Sequence, residues 1–255
     1  MLSERRRDRL LSHVKERRSI GVDDLAQLLG VSVSTVRRDL DEMHERGLLR
    51  RVHGGALSLQ DPEADEGPVN DRAVDNTDAK HRIAARAVEL IEPGSTILLT
   101  GGSTTAQMVP HLASVPDVTV VTNSIAIAHD LGTLPTPVQV IVLGGLMRTG
   151  EMSLLGYLTT QALAELHIDM AFLSAYGLDH EYGILGAHLA EAETDRNMVA
   201  AARRLVVLAD HSKFSRRSAV RIAPNARIDV LVTDRETPEE PLDALREHAV
   251  AIHQV

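Results

Sequence analysis

The sequence predicts two unlike folds in one chain: an N-terminal winged helix-turn-helix, mostly α, joined to an α/β domain with a largely parallel, doubly wound sheet. Three observations carry this. Residues 1–56 hold apolar residues at helical spacing around glycine breaks, while from residue 79 short Val/Ile/Leu runs alternate with helical stretches. Between them, residues 57–78 contain Asp61-Pro62-Glu63, Asp65-Glu66-Gly67-Pro68 and Asn70-Asp71-Arg72 with few apolar side chains, which predicts a flexible acidic linker. Charge divides the same way: residues 1–60 carry a net +3 and residues 61–255 a net −12, within a total of −9. The expected organisation is therefore 1–56, a linker over 57–78, and 79–255.

In the head, Leu2, Leu10, Leu11 and Val14 predict a first helix, with Arg5, Arg6, Arg7 and Arg9 forming a solvated face. Gly21 breaks the chain. Asp23 and Asp24 suit the first turn of a second helix whose stripe is Leu25, Leu28 and Leu29, and Gly30 ends it. Ser32 then caps a third helix, in which Val36, Leu40 and Met43 recur at i, i+4 and i+7. Ser34, Thr35, Arg37, Arg38 and Asp41 are left on its other faces. Short hydroxyls and paired guanidiniums at the start of such a helix suit base edges and phosphates, so a duplex DNA groove is the expected target. Gly47 stops the helix, Leu48 to Val52 reads as a strand, and Gly54-Gly55 can turn a wing. Arg50 and Arg51 are candidate DNA contacts or ordinary edge-strand charges. His53 either meets phosphate or caps the wing.

Composition excludes several classes. There is no cysteine, so disulfides and thiolate metal sites are ruled out. The five aromatic residues, Tyr157, Phe172, Tyr176, Tyr182 and Phe214, all lie in the second half, which disfavours stacking of single-stranded bases. No apolar run reaches membrane-spanning length and no signal-peptide core follows Met1, so a cytoplasmic location without membrane partners is expected.

In the body, buried strands are predicted at Thr96–Leu99, Val118–Val121, Val138–Leu143, Met170–Leu173, Leu205–Leu208 and Val230–Val232. Ligands in such folds sit beyond the carboxyl ends of strands. Here the first strand runs into Thr100-Gly101-Gly102-Ser103-Thr104-Thr105 and then a helix. Glycines admit an anion to the backbone, and hydroxyls and helix N-terminal amides donate to it. The loop has neither Walker nor GxGxxG spacing, so a small phosphate is expected rather than ATP or NAD. Lys213, after a later strand, supplies a point charge. Twelve histidines raise the question of metal. His188 with Glu191 and Glu193 is the nearest grouping and reads as a helix surface, so neither metal nor cofactor is expected.

Residues Val31 to Leu40, Gly47 to Ala56, Lys80-x-Arg82-Ile83-Ala84, Gly102-Ser103-Thr104-Thr105, Val121-Thr122-Asn123-Ser124, Leu143-Gly144-Gly145 and Leu208-Ala209-Asp210-x-Ser212-Lys213-Phe214 resemble the DeoR family of bacterial transcriptional regulators. The family's sensor domain is itself similar to ribose-5-phosphate isomerase. The resemblance implies a repressor of a carbohydrate-uptake or catabolic operon. It would bind operator DNA as a homo-oligomer, dimer or tetramer, and be relieved by a phosphorylated sugar or polyol. It places that phosphate at Gly101, Gly102, Ser103, Thr104, Thr105 and Lys213, with Asn123 and Glu191 near the sugar hydroxyls. Two departures stand out. Thr100 occupies the position where the family carries Asp. The paired acids of the isomerases are replaced by Ser174-Ala175-Tyr176-Gly177-Leu178, with no acid before Asp179. Proton transfer between sugar carbons needs a placed acid and base, so no catalytic residue is expected. The alternatives are an isomerase-like enzyme carrying a DNA-binding head, or an activator.

Overall fold

Gly30 shows how closely local sequence sets the head. It takes the left-handed conformation at φ +66° and ends the second helix. Ser32, in extended geometry, then caps the third helix by accepting the Thr35 N–H at 3.2 Å. The structure, a computed structural model, describes residues 2–17, 19–46, 48–52, 55–58, 69–136 and 138–255. It divides into two units, Met1–Asp65 and Glu66–Val255.

The first unit runs α1 (Leu2–Arg17), β1 (Ser19–Gly21), α2 (Val22–Leu29), α3 (Val33–Glu45), β2 (Leu49–Val52) and β3 (Gly55–Ser58). The strands form an antiparallel sheet in the order β1-β3-β2, which is the wing expected from the sequence. Leu10, Val14, Leu25, Val36, Leu40, Met43, Leu49 and Ala56 close one core. The stripe of α2 differs from expectation. Val22, Leu25 and Ala26 are buried, whereas Leu28 is 36% exposed and Leu29 only half-buried. The stripe begins one turn earlier, at Val22, and on the 3.6-residue period Leu28 falls away from the face that Val22, Leu25 and Ala26 share.

The second unit begins with α4 (Val69–Ala73) and α5 (Thr77–Val88), followed by β4 (Thr96–Leu99), α6 (Ser103–Ala106), α7 (Val109–Leu112), β5 (Thr119–Thr122), α8 (Ile125–Gly132) and β6 (Gln139–Val142). Then come β7 (Leu146–Arg148), β8 (Ser153–Leu155), α9 (Tyr157–Ala164), β9 (Ile168–Ser174), β10 (Gly177–Asp179), β11 (Gly183–Gly186), α10 (Leu189–Ala201), β12 (Ala202–Leu208), β13 (Val220–Ala223), β14 (Val230–Thr233), α11 (Glu239–Glu247) and β15 (Ala251–Gln254). Seven strands form one sheet in the order β15-β14-β12-β9-β4-β5-β6, every pair parallel. Alternate residues divide between two cores. Leu98, Val121, Ala171, Leu205, Val207 and Leu231 pack against Leu163, Met198, Leu242 and Leu245 on one face. Ile97, Leu99, Val120, Phe172, Val206 and Val230 pack against Ile83, Ala87, Met108, Leu112 and Leu131 on the other. The sheet is thus doubly wound.

Three features were not foreseen: the strand β15, the β7–β8 hairpin, and a small antiparallel sheet β10-β11-β13. Each strand is three or four residues long and lacks a strong apolar run. The linker is also corrected. The sequence pattern carries it to Asp78, but α4 forms inside that span, Val69 is buried, and α5 starts at Thr77. This segment is held largely by polar contacts, which an apolar pattern does not register. The Val69 N–H donates to Gly150 O at 3.1 Å and Arg72 pairs with Glu151. Lys80 donates to the carbonyls of Arg72 and Asp75, the latter at 2.5 Å. At the other boundary, β3 carries the first unit to Ser58 rather than ending it at residue 56. Linker residues 59–68 lie outside the described residues.

Candidate functional site

The polar face of α3 is built by its apolar one. Val36 and Leu40 are fully buried, which turns Ser34, Arg37 and Arg38 outward as exposed side chains and leaves Thr35 half-buried. The hydroxyls of Ser34 and Thr35 lie 2.9 and 2.8 Å from Ser32 Oγ, so the first turn presents an ordered row of hydroxyls. Arg51 has partners within the unit. Its guanidinium pairs with Asp41 and reaches Arg37 O at 3.4 Å, tying the wing to α3. The Arg50 side chain and His53 lie outside the described residues, as do Gly47 and Gly54.

Behind that face is a cluster that sequence reasoning missed. The Asp39 side chain is 3% exposed and accepts from Arg6 Nε at 2.6 Å, Arg6 Nη2 at 3.0 Å and Arg7 Nε at 3.1 Å. Arg7 also pairs with Glu42 at 2.5 Å. Arg6 and Arg7 are therefore a clamp on α3 and not merely a solvated face. Burial alone would push the Asp39 carboxyl up, but the hydrogen bonds from Arg6 and Arg7 outweigh it and hold it below the usual carboxylate range. The signal was available in the spacing: Asp39 sits at i+3 from Val36, on the buried side of a helix that follows an arginine triplet.

In the second unit a cleft opens beyond the carboxyl ends of β4 and β9, with an empty volume of about 620 Å³ including its mouth. Of the sequence-predicted effector residues, Gly101, Gly102, Asn123 and Glu191 line it, together with Thr100. Asn123 is occupied on both sides, accepting the Gly101 N–H at 3.1 Å and donating to Leu154 O at 3.0 Å. Thr100 sends both its N–H and its hydroxyl to Phe172 O, at 3.2 and 3.3 Å, so it brings no charge to the floor.

The other predicted residues are not brought to the cleft. Ser103, Thr104 and Thr105 are buried in α6, which packs against α4, α5 and β9. The Thr105 hydroxyl donates to Thr100 O at 2.8 Å, closing the loop from within. Lys213 is buried in a short 3-10 turn, His211–Lys213; against burial, the Ser212 hydroxyl and then the Lys213 charge hold the Asp210 carboxyl below its ordinary value.

The charged groups that do line the cleft are Arg72, Arg148, Glu151, Glu191 and Asp195. Arg148 pairs with Glu191 and donates to His188 Nε2, while Arg72 pairs with Glu151. Neither arginine was singled out from sequence, and the acids come from α10 and the β7–β8 turn rather than from the end of β9.

Gly102 is required where loop and sheet meet. A Cβ there would stand 2.5 Å from Ser174 Cβ, whereas at Gly101 the nearest atom, Ser153 Cβ, would be 3.3 Å away. Gly102→Ala is expected to cost about 1–3 kcal/mol and Gly101→Ala distinctly less, as thermal melting of the two variants will read.

His188, read from the sequence as part of a helix surface, is buried; among the described residues, His211, Asp234 and Glu236 form the one cluster of metal-ligand type. Hydrogen bonding accounts for its core: Asp234 takes the His211 N–H at 2.7 Å and its Nδ1 at 2.8 Å. This bond raises the His211 pKa above 6.5 against the opposing effect of burial. A raised folded-state value adds stability that is fully present below pH 6.5 and is lost as pH rises through the folded value. The melting-temperature advantage of the native chain over His211→Gln should therefore shrink as pH rises above 6.5. An advantage that does not change with pH would refute this assignment.

Comparison with known proteins agrees with both units. The DeoR-like helix-turn-helix domain matches residues 6–61, and the DeoR C terminal sensor domain matches residues 75–235. The chain is 32% identical to the HTH-type transcriptional regulator GolR of Listeria innocua, covering 91% of this chain and 90% of that one. It is 31% identical to the HTH-type transcriptional repressor CsqR of Escherichia coli K12, over 97% and 94%. To the glycerol-3-phosphate regulon repressor of the same strain it is 28% identical, over 99% of each. Among solved structures, ribose 5-phosphate isomerase A from Methanocaldococcus jannaschii is similar at 20% identity and a TM-score of 0.41, over 55% of each chain. With a DeoR-type head and sensor matched along most of its length, the chain belongs to the DeoR family of transcriptional regulators.

Proposed function

We propose that the chain represses a carbohydrate-uptake or catabolic operon and leaves its operator when a phosphorylated sugar or polyol enters the cleft. The observation that carries this reading is the lining of the cleft: two guanidiniums for an anion and the carboxylates of Glu191 and Asp195 for hydroxyls, around a glycine loop, in a unit separate from the DNA-binding one. The relative named for the glycerol-3-phosphate regulon supports the class of ligand. The protein acts in the cytoplasm, where its DNA is, and binds as a homo-oligomer, since paired heads match two-fold operators. Among the described residues no helix is long and apolar enough to cross a membrane.

The enzyme reading is the weaker one. Two of the three carboxylates that line the cleft are each engaged by an arginine, which suits binding better than proton transfer. The test is a panel of pentose, hexose and polyol phosphates with the full chain, followed by thermal melting and by product analysis. Saturable stabilisation without turnover is expected. Turnover of any member would establish an enzyme instead.

A further inference from the structure

We propose that Arg72 and Arg148 receive the effector's phosphate, and that the β7–β8 hairpin passes the resulting change to α4, where the chain enters the second unit. This rests on the sugar-phosphate reading above.

Arg72 and Arg148 are the cations among the described residues that line the cleft, and Lys213 is not one of those residues. Both face carboxylates that also line it, Glu151 and Glu191. The Arg148 and Glu191 side chains are 25% and 18% exposed, and those of Arg72 and Glu151 are 11% each. A phosphate dianion offers a guanidinium fork more charge and more acceptor oxygens than a carboxylate does. The ligand therefore competes with Glu151 and Glu191 for groups already aimed into the cleft.

One hairpin joins the two ion pairs. Arg148 ends β7 and Glu151 lies in the turn before β8. The same turn holds α4 a second time, through Gly150 O and the Val69 N–H at 3.1 Å. The hairpin is also tied to the glycine loop. Leu154 donates to Asn123 O at 2.7 Å, and the Asn123 side chain bridges Leu154 O to the Gly101 N–H. A phosphate that takes Arg148 from Glu191 and Arg72 from Glu151 thus transfers α4 from a protein anchor to a ligand anchor. The peptide from the first unit arrives through residues 59–68 into α4, so this change of anchor is made at the covalent entry from the head. The ligand shifts the equilibrium only by its difference in affinity for the two anchored states.

The experiment uses the full chain and the same panel of sugar and polyol phosphates, each beside its unphosphorylated parent and inorganic phosphate. Affinity is read by calorimetry and α4 by amide hydrogen exchange over residues 69–73. Arg72→Gln and Arg148→Gln should each weaken the phosphorylated ligand by about 10- to 100-fold, and Lys213→Ala by less than about threefold. Glu151→Gln removes a competitor and should tighten binding several-fold, a gain that a misfolded variant does not give. Ligand should change exchange over 69–73 in the native chain, and Glu151→Gln should show altered exchange there before any ligand is added. Native-like affinity in both arginine variants, or loss in Lys213→Ala instead, overturns the assignment. Arginine-dependent binding with no change at 69–73 overturns the transmission. A native chain that binds no phosphorylated compound overturns the effector reading itself, and this proposal with it.

Discussion

Replacing Arg37 and Arg38 together by alanine is expected to weaken binding to duplex DNA by about 100-fold or more, with the thermal transition of the second unit unchanged. The two guanidiniums are exposed on α3, opposite a stripe that is fully buried at Val36 and Leu40. A good hydrogen-bonded pairing with a base edge or phosphate is worth about 1–3 kcal/mol, so removing two per head takes away most of the specific affinity. Salt dependence separates the roles. If both arginines meet phosphates, the slope of log affinity against log salt falls by about 0.9 for each phosphate no longer neutralised. If they read bases, the slope holds and discrimination between operator and random DNA collapses instead. Unchanged affinity would show that α3 is not the recognition helix.

Asp39→Asn is expected to have the largest effect on stability, about 2–3 kcal/mol in the first unit. The variant keeps the shape of the side chain but leaves Arg6 and Arg7, both about a quarter exposed, facing a neutral amide. A unit of this size has only a few kcal/mol of stability in total, so its melting temperature should fall by about 10 °C or more. The acid limb supplies a second test. Because the folded-state pKa of Asp39 is lowered, its contribution is present above the ordinary value of 3.8 and is lost as pH falls through the folded value. Wild type and Asp39→Asn should therefore converge in acid. DNA binding should weaken with stability, since Asp39 holds the helix that carries Arg37 and Arg38.

What was legible in the sequence followed from periodicity and turn chemistry. Ser32, Gly30 and the Val36–Leu40–Met43 stripe define α3 by local rules, and the aliphatic runs from Thr96 to Thr233 give six of the seven strands of the parallel sheet. The seventh, Ala251-Ile252-His253-Gln254, is too polar to stand out, and the hairpin and small antiparallel sheet are made of segments three or four residues long. The cleft was half legible. A glycine loop after a strand shows where an anion can approach, and Gly101 and Gly102 do line the cleft. Which charged side chains reach it depends on pairings far apart in sequence. Arg72 meets Glu151 and Arg148 meets Glu191, and neither pair leaves a trace at short spacing. Lys213, attractive as a cation after a strand, is buried in the 3-10 turn and is not among the residues lining the cleft.

The measurement closest to the central claim is operator affinity of the full chain, followed by fluorescence anisotropy with each member of the sugar-phosphate panel and its unphosphorylated parent. A phosphorylated sugar or polyol should weaken operator binding by at least about tenfold, a coupling within the usual range for two-site regulators, while its parent sugar leaves it unchanged. Operator affinity indifferent to every phosphorylated compound, including one that demonstrably fills the cleft, would contradict the account.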